Sequence, residues 1–357
     1  MKRLQRNPEK FEPIDLFSSI GLQYDYNLQN PKDREDFIQK VSDSLTSAQN
    51  DQRVLFGKRV ESSFPMVLGA LGEISFIKQE DSGASFSNRK NIKLPEYRVT
   101  TNDGEQYLVE VKNCHSSDLN YEYPFRKDYL SELQTYSEMN RVPLKLAIYY
   151  SQYNKWVLLD PSSLIEQSIR YVTDFLNSIS KNEMGLFGDL LIATLPKLEF
   201  IIINDNEKTS EISDDGQTLI VIKSIMLKCG GVEITNDLDK NIAFYLTRYG
   251  DWVESSVTPS VVENKLESIT FTFEPEGRSE NQEFEMVGYL SSMISSAYRE
   301  RTIHDDKVIS IDANVDPAQF NIGIPTDYKS TELPLWRFKI QPNFDNEIKR
   351  SFLQTEG

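Results

Sequence analysis

The chain predicts an α/β fold in its first half, with a helical lead-in before it and a separate α+β domain behind it. Three features point there: two apolar-alternating runs flanking Asn102-Asp103-Gly104, helical apolar spacing on either side of that pair, and strand texture beyond Gly185. Asn-Asp-Gly tolerates positive φ at low cost, which is what a tight hairpin turn demands. Residues 95–112 therefore read as two antiparallel strands. Side chains alternate across a strand, so Leu108, Glu110 and Lys112 share one face while Val109 and Val111 take the other.

The elements follow in order. Asn30-Pro31 makes a helix start, with Phe37, Ile38, Val41 and Leu45 as its apolar stripe, and a second short helical run covers 53–60. Ser63-Phe64-Pro65 starts a third helix, in which Phe64, Leu68, Leu71, Ile74 and Ile77 recur at helical spacing and Glu73 interrupts the apolar run. Pro95-Glu96 opens the first hairpin strand, where proline removes no ladder donor that the sheet needs. Residues 126–140 form an amphipathic helix through Tyr129, Leu130, Leu133 and Tyr136, and 144–150 and 155–159 form a strand pair. Ser163 and Glu166 are spaced as a capping box for another helix through Val172 and Ile179. Beyond it, strands are expected at 198–203, 218–227, 242–249, 269–273, 308–311 and 335–340, with one helix over 284–301. The domains expected are 1–60, 61–161 and 162–357.

Composition bounds the function. With 357 residues, 39% of them hydrophobic, the chain buries real cores. No apolar run is long enough to span a membrane and the first residues do not build a signal-peptide core, which predicts a soluble cytoplasmic protein. Cys114 and Cys229 and the two histidines, His115 and His304, give no zinc or disulfide spacing and no nucleophile pair. His115, directly after the second hairpin strand, reads as a surface loop residue within reach of a substrate. The net charge of −16 opposes a nucleic-acid partner. Its distribution softens the objection: residues 1–150 carry 20 Lys and Arg against 22 Asp and Glu, leaving 19 against 33 for 151–357. Lys58, Arg59, Lys78, Arg89, Lys90, Lys93, Arg98, Arg126 and Lys127, interleaved with Tyr97, Tyr121, Tyr123 and Phe125, supply a candidate backbone-contacting groove, or an ordinary solvated surface.

A carboxylate and a lysine two apart on a strand suit phosphodiester hydrolysis, because the acid holds a hard cation and the ammonium orients water or meets phosphate charge. The same pair reads equally as a surface ion pair without chemistry. Acid-x-Lys recurs at Glu263-Asn264-Lys265, Asp305-Asp306-Lys307 and Glu347-Ile348-Lys349, so context decides. Only Glu110 follows a hairpin that folds an upstream acid, Glu96, back towards it. Glu73, in an apolar helix, needs a partner or a metal if buried, or else sits at the solvent edge. Asp103 is a rival acid that turn conformation alone explains.

In these features the chain resembles the PD-(D/E)XK nuclease superfamily over residues 61–161. Pro95-Glu96 stands for its first motif, with glutamate in place of the commoner aspartate, and Glu110-Val111-Lys112 for its second. Glu73 stands for the helical glutamate of resolvase-like members. Gln134 is placed on the following helix, where such enzymes carry polar residues, and the Gln-x-x-x-Tyr signature of RecB-like nucleases is absent. The resemblance implies a restriction-endonuclease-like core of helix, three-stranded meander, helix and strand. It also implies Mg²⁺ or Mn²⁺ held by Glu96, Glu110, Glu73 and the Val111 carbonyl, with Lys112 orienting the attacking water. Cleavage of DNA to a 5′-phosphate, frequent homodimers and service in restriction, repair or antiviral defence are further implications. The acidic second half fits a protein partner or effector. The alternatives are a non-catalytic interaction protein on the same scaffold whose acidic half binds a basic partner, and a nuclease directed at RNA.

Overall fold

The computed structural model describes residues 1–4, 8–83 and 85–342; Glu347 and Lys349 lie outside them. In chain order the first elements are α1 (Pro8–Tyr24), α2 (Pro31–Asn50), α3 (Gln52–Leu71), β1 (Ile74–Gln79), β2 (Tyr97–Thr101), β3 (Gln106–Cys114), β4 (Tyr123–Arg126), α4 (Lys127–Asn140), β5 (Leu144–Tyr150) and β6 (Lys155–Leu159). The second half carries β7 (Ile165–Glu166), β8 (Arg170–Thr173), α5 (Phe175–Ser180), β9 (Leu191–Thr194), β10 (Leu198–Asn204), β11 (Ile222–Cys229), β12 (Val232–Ile234) and α6 (Asp237–Tyr249). It ends with β13 (Val253–Val262), β14 (Lys265–Glu274), β15 (Glu285–Tyr289), α7 (Leu290–Thr302), β16 (Ile303–His304), β17 (Lys307–Val308) and β18 (Leu335–Phe338). None of the described helices is long and apolar enough to cross a membrane.

The sheet that positions the site runs β1-β2-β3-β5-β6. β1, β2 and β3 form an antiparallel meander, and α4 carries the chain over to β5, which pairs parallel with β3. A parallel neighbour reached through a helix is covered on both faces, and β5 is accordingly buried at every residue. Alternation sorts the residues between two interiors. Val109, Val111, Ala147, Trp156 and Leu158 pack with Phe64, Val67 and Leu68 of α3, whereas Leu108, Leu146, Ile148, Val157 and Leu159 pack with Leu130 and Leu133 of α4.

The hairpin turn is as the composition demands. Gly104 takes φ +92°, its N–H donates to Thr101 O, and Thr101 N–H donates to Glu105 O at 2.9 Å. Asn30 caps α2 through its side chain, and Asp51 caps α3 by accepting from Arg53 and Val54.

Several expectations are corrected. The run at 53–60 does not stop, and α3 continues to Leu71 with Pro65 inside it. It ends at Gly72, whose φ of +96° is the left-handed C-cap that glycine adopts readily. Ile74 and Ile77 therefore belong to β1, the first strand of the meander. The capping box at Ser163 forms no helix: Asp160 instead caps a short turn by accepting from Ser162 N, Leu164 tucks into the α4-side interior, and β8 pairs with β4 and β7. Only 175–180 is helical there, capped by Asp174. The strand expected at 242–249 is the end of α6, started by Asn236, and 285–289 pairs with β9 before α7 begins.

The expected boundaries also move. Residue 60 falls inside α3, and the apolar interior does not divide at residue 161. Val60, Phe64, Trp156, Leu198, Ile242, Val287 and Tyr298 share one buried cluster. Polar ties reinforce it: Trp156 Nε1 donates to Ser295 Oγ at 2.9 Å, and buried Arg59 donates to Thr302 Oγ1 at 2.7 Å.

The start of α7 has no cap from its own preceding residue and is capped from a distance. Buried Asp189 accepts from Ser291 N at 2.9 Å and from Ser291 Oγ at 2.6 Å, although burial raises its carboxyl pKa. Asp189→Ala strands two buried donors and is expected to lower the unfolding free energy by about 2 kcal/mol, with Asp189→Asn costing less. Urea unfolding followed by circular dichroism checks this; equal midpoints for wild type and the alanine variant would remove the cap from the account.

Candidate active site

The pairing register builds the site. Tyr97 lies opposite Val109, which sets Glu96 level with Glu110 across the β2–β3 ladder. Glu110 is 1% exposed. Its Oε1 accepts from the Lys112 ammonium and from the Tyr129 hydroxyl of α4, and Lys112 Nζ also lies 3.0 Å from Tyr129 Oη. Lys93 stands 4.4 Å from the Tyr129 ring centroid and Lys112 5.1 Å, so two cations neighbour that ring.

Charge accumulates around Glu96. Burial pushes its carboxyl up to about 8, and the charges of Glu110, Glu61 and Asp81 add to the effect. Burial works to lower the Lys112 pKa, but Glu110 and Glu96 outweigh it and hold the ammonium above its usual value. At neutral pH, Lys112 is therefore a fixed positive charge, and Glu96 keeps its proton while no cation is present. A cation between Glu96 and Glu110 would displace that proton and relieve the repulsion.

Glu96, Glu110 and Lys112 are thus brought together, with Val111 between the last two and paired to Ala147 of β5. Glu73 is not. It lies past the end of α3, exposed, with its carbonyl accepting from Asn102 N at 3.0 Å and its side chain against Gly188. It stands beside the hairpin turn, and five strand residues from the turn to Glu110 span roughly 17 Å. The helical glutamate that acts on Glu96 is Glu61, three turns earlier on α3 and paired with Lys58 at 2.5 Å. Asp103 is held in its turn, accepting from the Thr101 hydroxyl. Gln134 is exposed and lines a different groove beside Asp160 and Glu166. Tyr129 is hidden in the sequence because it fits the apolar stripe of α4.

Two of the other acid-x-Lys patterns are explained by their turns. Glu263-Asn264 (φ 49° and 61°) and Asp305-Asp306 (φ 47° and 56°) are two-residue hairpin turns with both residues left-handed, where such residue types serve the backbone. The basic groove is largely neutralised: Arg98 pairs with Glu80, Arg126 with Asp128, Lys127 with Glu166, and Arg59 is buried. Lys78, Arg89 and Lys90 remain exposed.

Among the described residues no three His, Cys, Asp or Glu side chains converge as a metal cage. Glu96 and Glu110 offer two carboxylates, and Mg²⁺ commonly takes one or two and keeps several waters.

No family model matches this chain, and no curated protein matches its sequence. A structure of Hjc, a Holliday junction resolvase from the archaeal hyperthermophile Archaeoglobus fulgidus, is similar over 34% of this chain and 92% of that one, at 15% identity and a TM-score of 0.28. A likeness of that degree carries no functional weight, and the function rests on the side chains themselves.

Glu96 also makes stability depend on pH. Its folded pKa of about 8 exceeds the ordinary 4.5, so its contribution is fully present below pH 4.5 and is lost as pH rises towards 8. With chelator present, the melting temperature of wild type is expected to fall over that window relative to Glu96→Gln. Parallel melting profiles for the two proteins would contradict the assignment.

Proposed function

We propose that the chain is a divalent-cation-dependent nuclease acting on DNA. The observation that carries the proposal is the ladder register that sets Glu96 level with Glu110, beside the ammonium of Lys112. Glu96 and Glu110 would hold the cation, with Val111 as the candidate backbone ligand and water completing the shell. When bound, Mg²⁺ or Mn²⁺ supplies Lewis acidity to the phosphate and lowers the pKa of water.

The chain's own residues do the rest. Lys112, always protonated at neutral pH, orients the incoming water and meets the charge that builds on the phosphoryl oxygens. Tyr129 keeps Glu110 and Lys112 in place by bonding both. Water adds to phosphorus as the bond to the 3′ oxygen breaks; one proton goes to solvent and the leaving oxygen takes another. The products are a 5′-phosphate and a 3′-hydroxyl, and endonucleolytic action in restriction, repair or antiviral defence is the service that suits them. Homodimerisation, and a protein partner on the acidic half, belong to the same proposal.

One observation favours a second reading. Residues 151–357 carry 33 acids against 19 bases, a surface suited to a basic partner and not to DNA, so a non-catalytic scaffold is the alternative.

Purified protein is expected to nick or linearise plasmid with Mg²⁺ and to stop with chelator. Glu110→Ala and Lys112→Ala should each reduce the rate by about 10²-fold or more. Cleavage that persists in both variants would assign the chemistry elsewhere, and a wild type inactive on DNA and RNA with either Mg²⁺ or Mn²⁺ would favour the scaffold.

A further inference from the structure

Lys112 also borders a cleft of about 610 Å³ between the first half of α3 and the end of β3. Phe56 and Val60 form part of its helical wall, with Arg53 exposed on the same element. Gly57 leaves that wall open, since a Cβ there would meet nothing within 4 Å. On the strand side stands Asn113, whose Oδ1 is buried and has no hydrogen-bond partner among the described residues. A buried amide oxygen without a donor is costly to a fold, and because Asn113 lines the cleft, a turn of its side chain would bring that oxygen to a donor on a ligand bound there.

We propose that this cleft receives the nucleoside next to the scissile phosphate, with Asn113 Oδ1 accepting a hydrogen bond from an N–H or O–H of that nucleoside. The inference rests on the nuclease reading, because only then is the phosphate at Lys112 joined to whatever fills the cleft. The volume falls in the range of small-molecule sites, Phe56 offers an aromatic surface to a base, and Arg53 offers a cation to the next phosphate. Asn113 is then a specificity-determining residue for the position beside the cut.

The test uses the full chain with labelled 12-nucleotide strands, in deoxyribose and ribose versions and with each base at the varied position. Binding is read by fluorescence anisotropy in chelator and cleavage in Mg²⁺. Asn113→Leu and Gly57→Trp are each expected to weaken binding about 5- to 50-fold, and Asn113→Leu to flatten discrimination at one nucleotide. A loss confined to ribose strands identifies a sugar hydroxyl as the donor, whereas a loss that follows the base identifies a base N–H. Gly57→Trp sits on an open helix surface, where replacing glycine favours the helix, so it tests the cleft even if Asn113→Leu fails to fold. If both variants bind and discriminate like wild type while Glu110→Ala abolishes cleavage, the cleft proposal is overturned and the nuclease reading stands. If wild type binds but never cleaves, and Gly57→Trp still loses binding, the hydrolase reading fails while the cleft remains a nucleotide site.

Discussion

The register of β2 against β3 is the constraint on which the site depends. A slip of one residue would turn Val109 and Val111 out of the α3-side interior and bring Glu110 and Lys112 into it. The turn at 102–104 prevents that slip from one end: Gly104 supplies the left-handed residue, and Thr101 and Asp103 fasten the side chains across it. Apolar packing prevents it from both faces, since Val109 and Leu108 are each fully buried in different clusters. With the register fixed, Glu96 has no choice but to stand beside Glu110.

That placement is electrostatically unfavourable without a cation. Glu96 is half-buried and feels the charges of Glu110, Glu61 and Asp81, and its proton is held to about pH 8 as a result. Lys112 and Tyr129 stabilise Glu110 from the α4 side. An acid obliged to keep its proton beside Glu110 costs the fold something, and groups with displaced pKa values cluster where chemistry needs them. Structural ion-pair networks also shift pKa values, and the buried group of Lys145 between Glu183 at 2.6 Å and Asp160 at 3.1 Å is one that ties β5 to its neighbours.

What was legible in the sequence follows from how local the cause is. The 102–104 turn, the α2 start at Asn30-Pro31 and the strands 144–150 and 155–159 are written in short-range chemistry, and the α4 helix in its own periodicity. Glu73 was misplaced because Ile74 and Ile77 continue a helical spacing that Gly72 has already ended. Glycine at the cap outweighs periodicity there, and the ladder with β2 pulls the chain into a strand. The same misplacement hid Glu61. Past residue 161 the pattern fails more often. A capping signal at Ser163 loses to strand pairing with β4, and Ile242, Ala243 and Leu246 read as strand residues until Asn236 is seen to cap them. These outcomes depend on partners far away in the chain, which local propensity does not encode.

Anomalous diffraction from crystals soaked in Mn²⁺ tests the central claim most directly. A cation peak lying between the carboxylates of Glu96 and Glu110, and missing in Glu110→Ala, is the expected result. A wild-type map with Mn²⁺ bound elsewhere, or with none between these two side chains at millimolar Mn²⁺, would contradict a metal-dependent site at this pair.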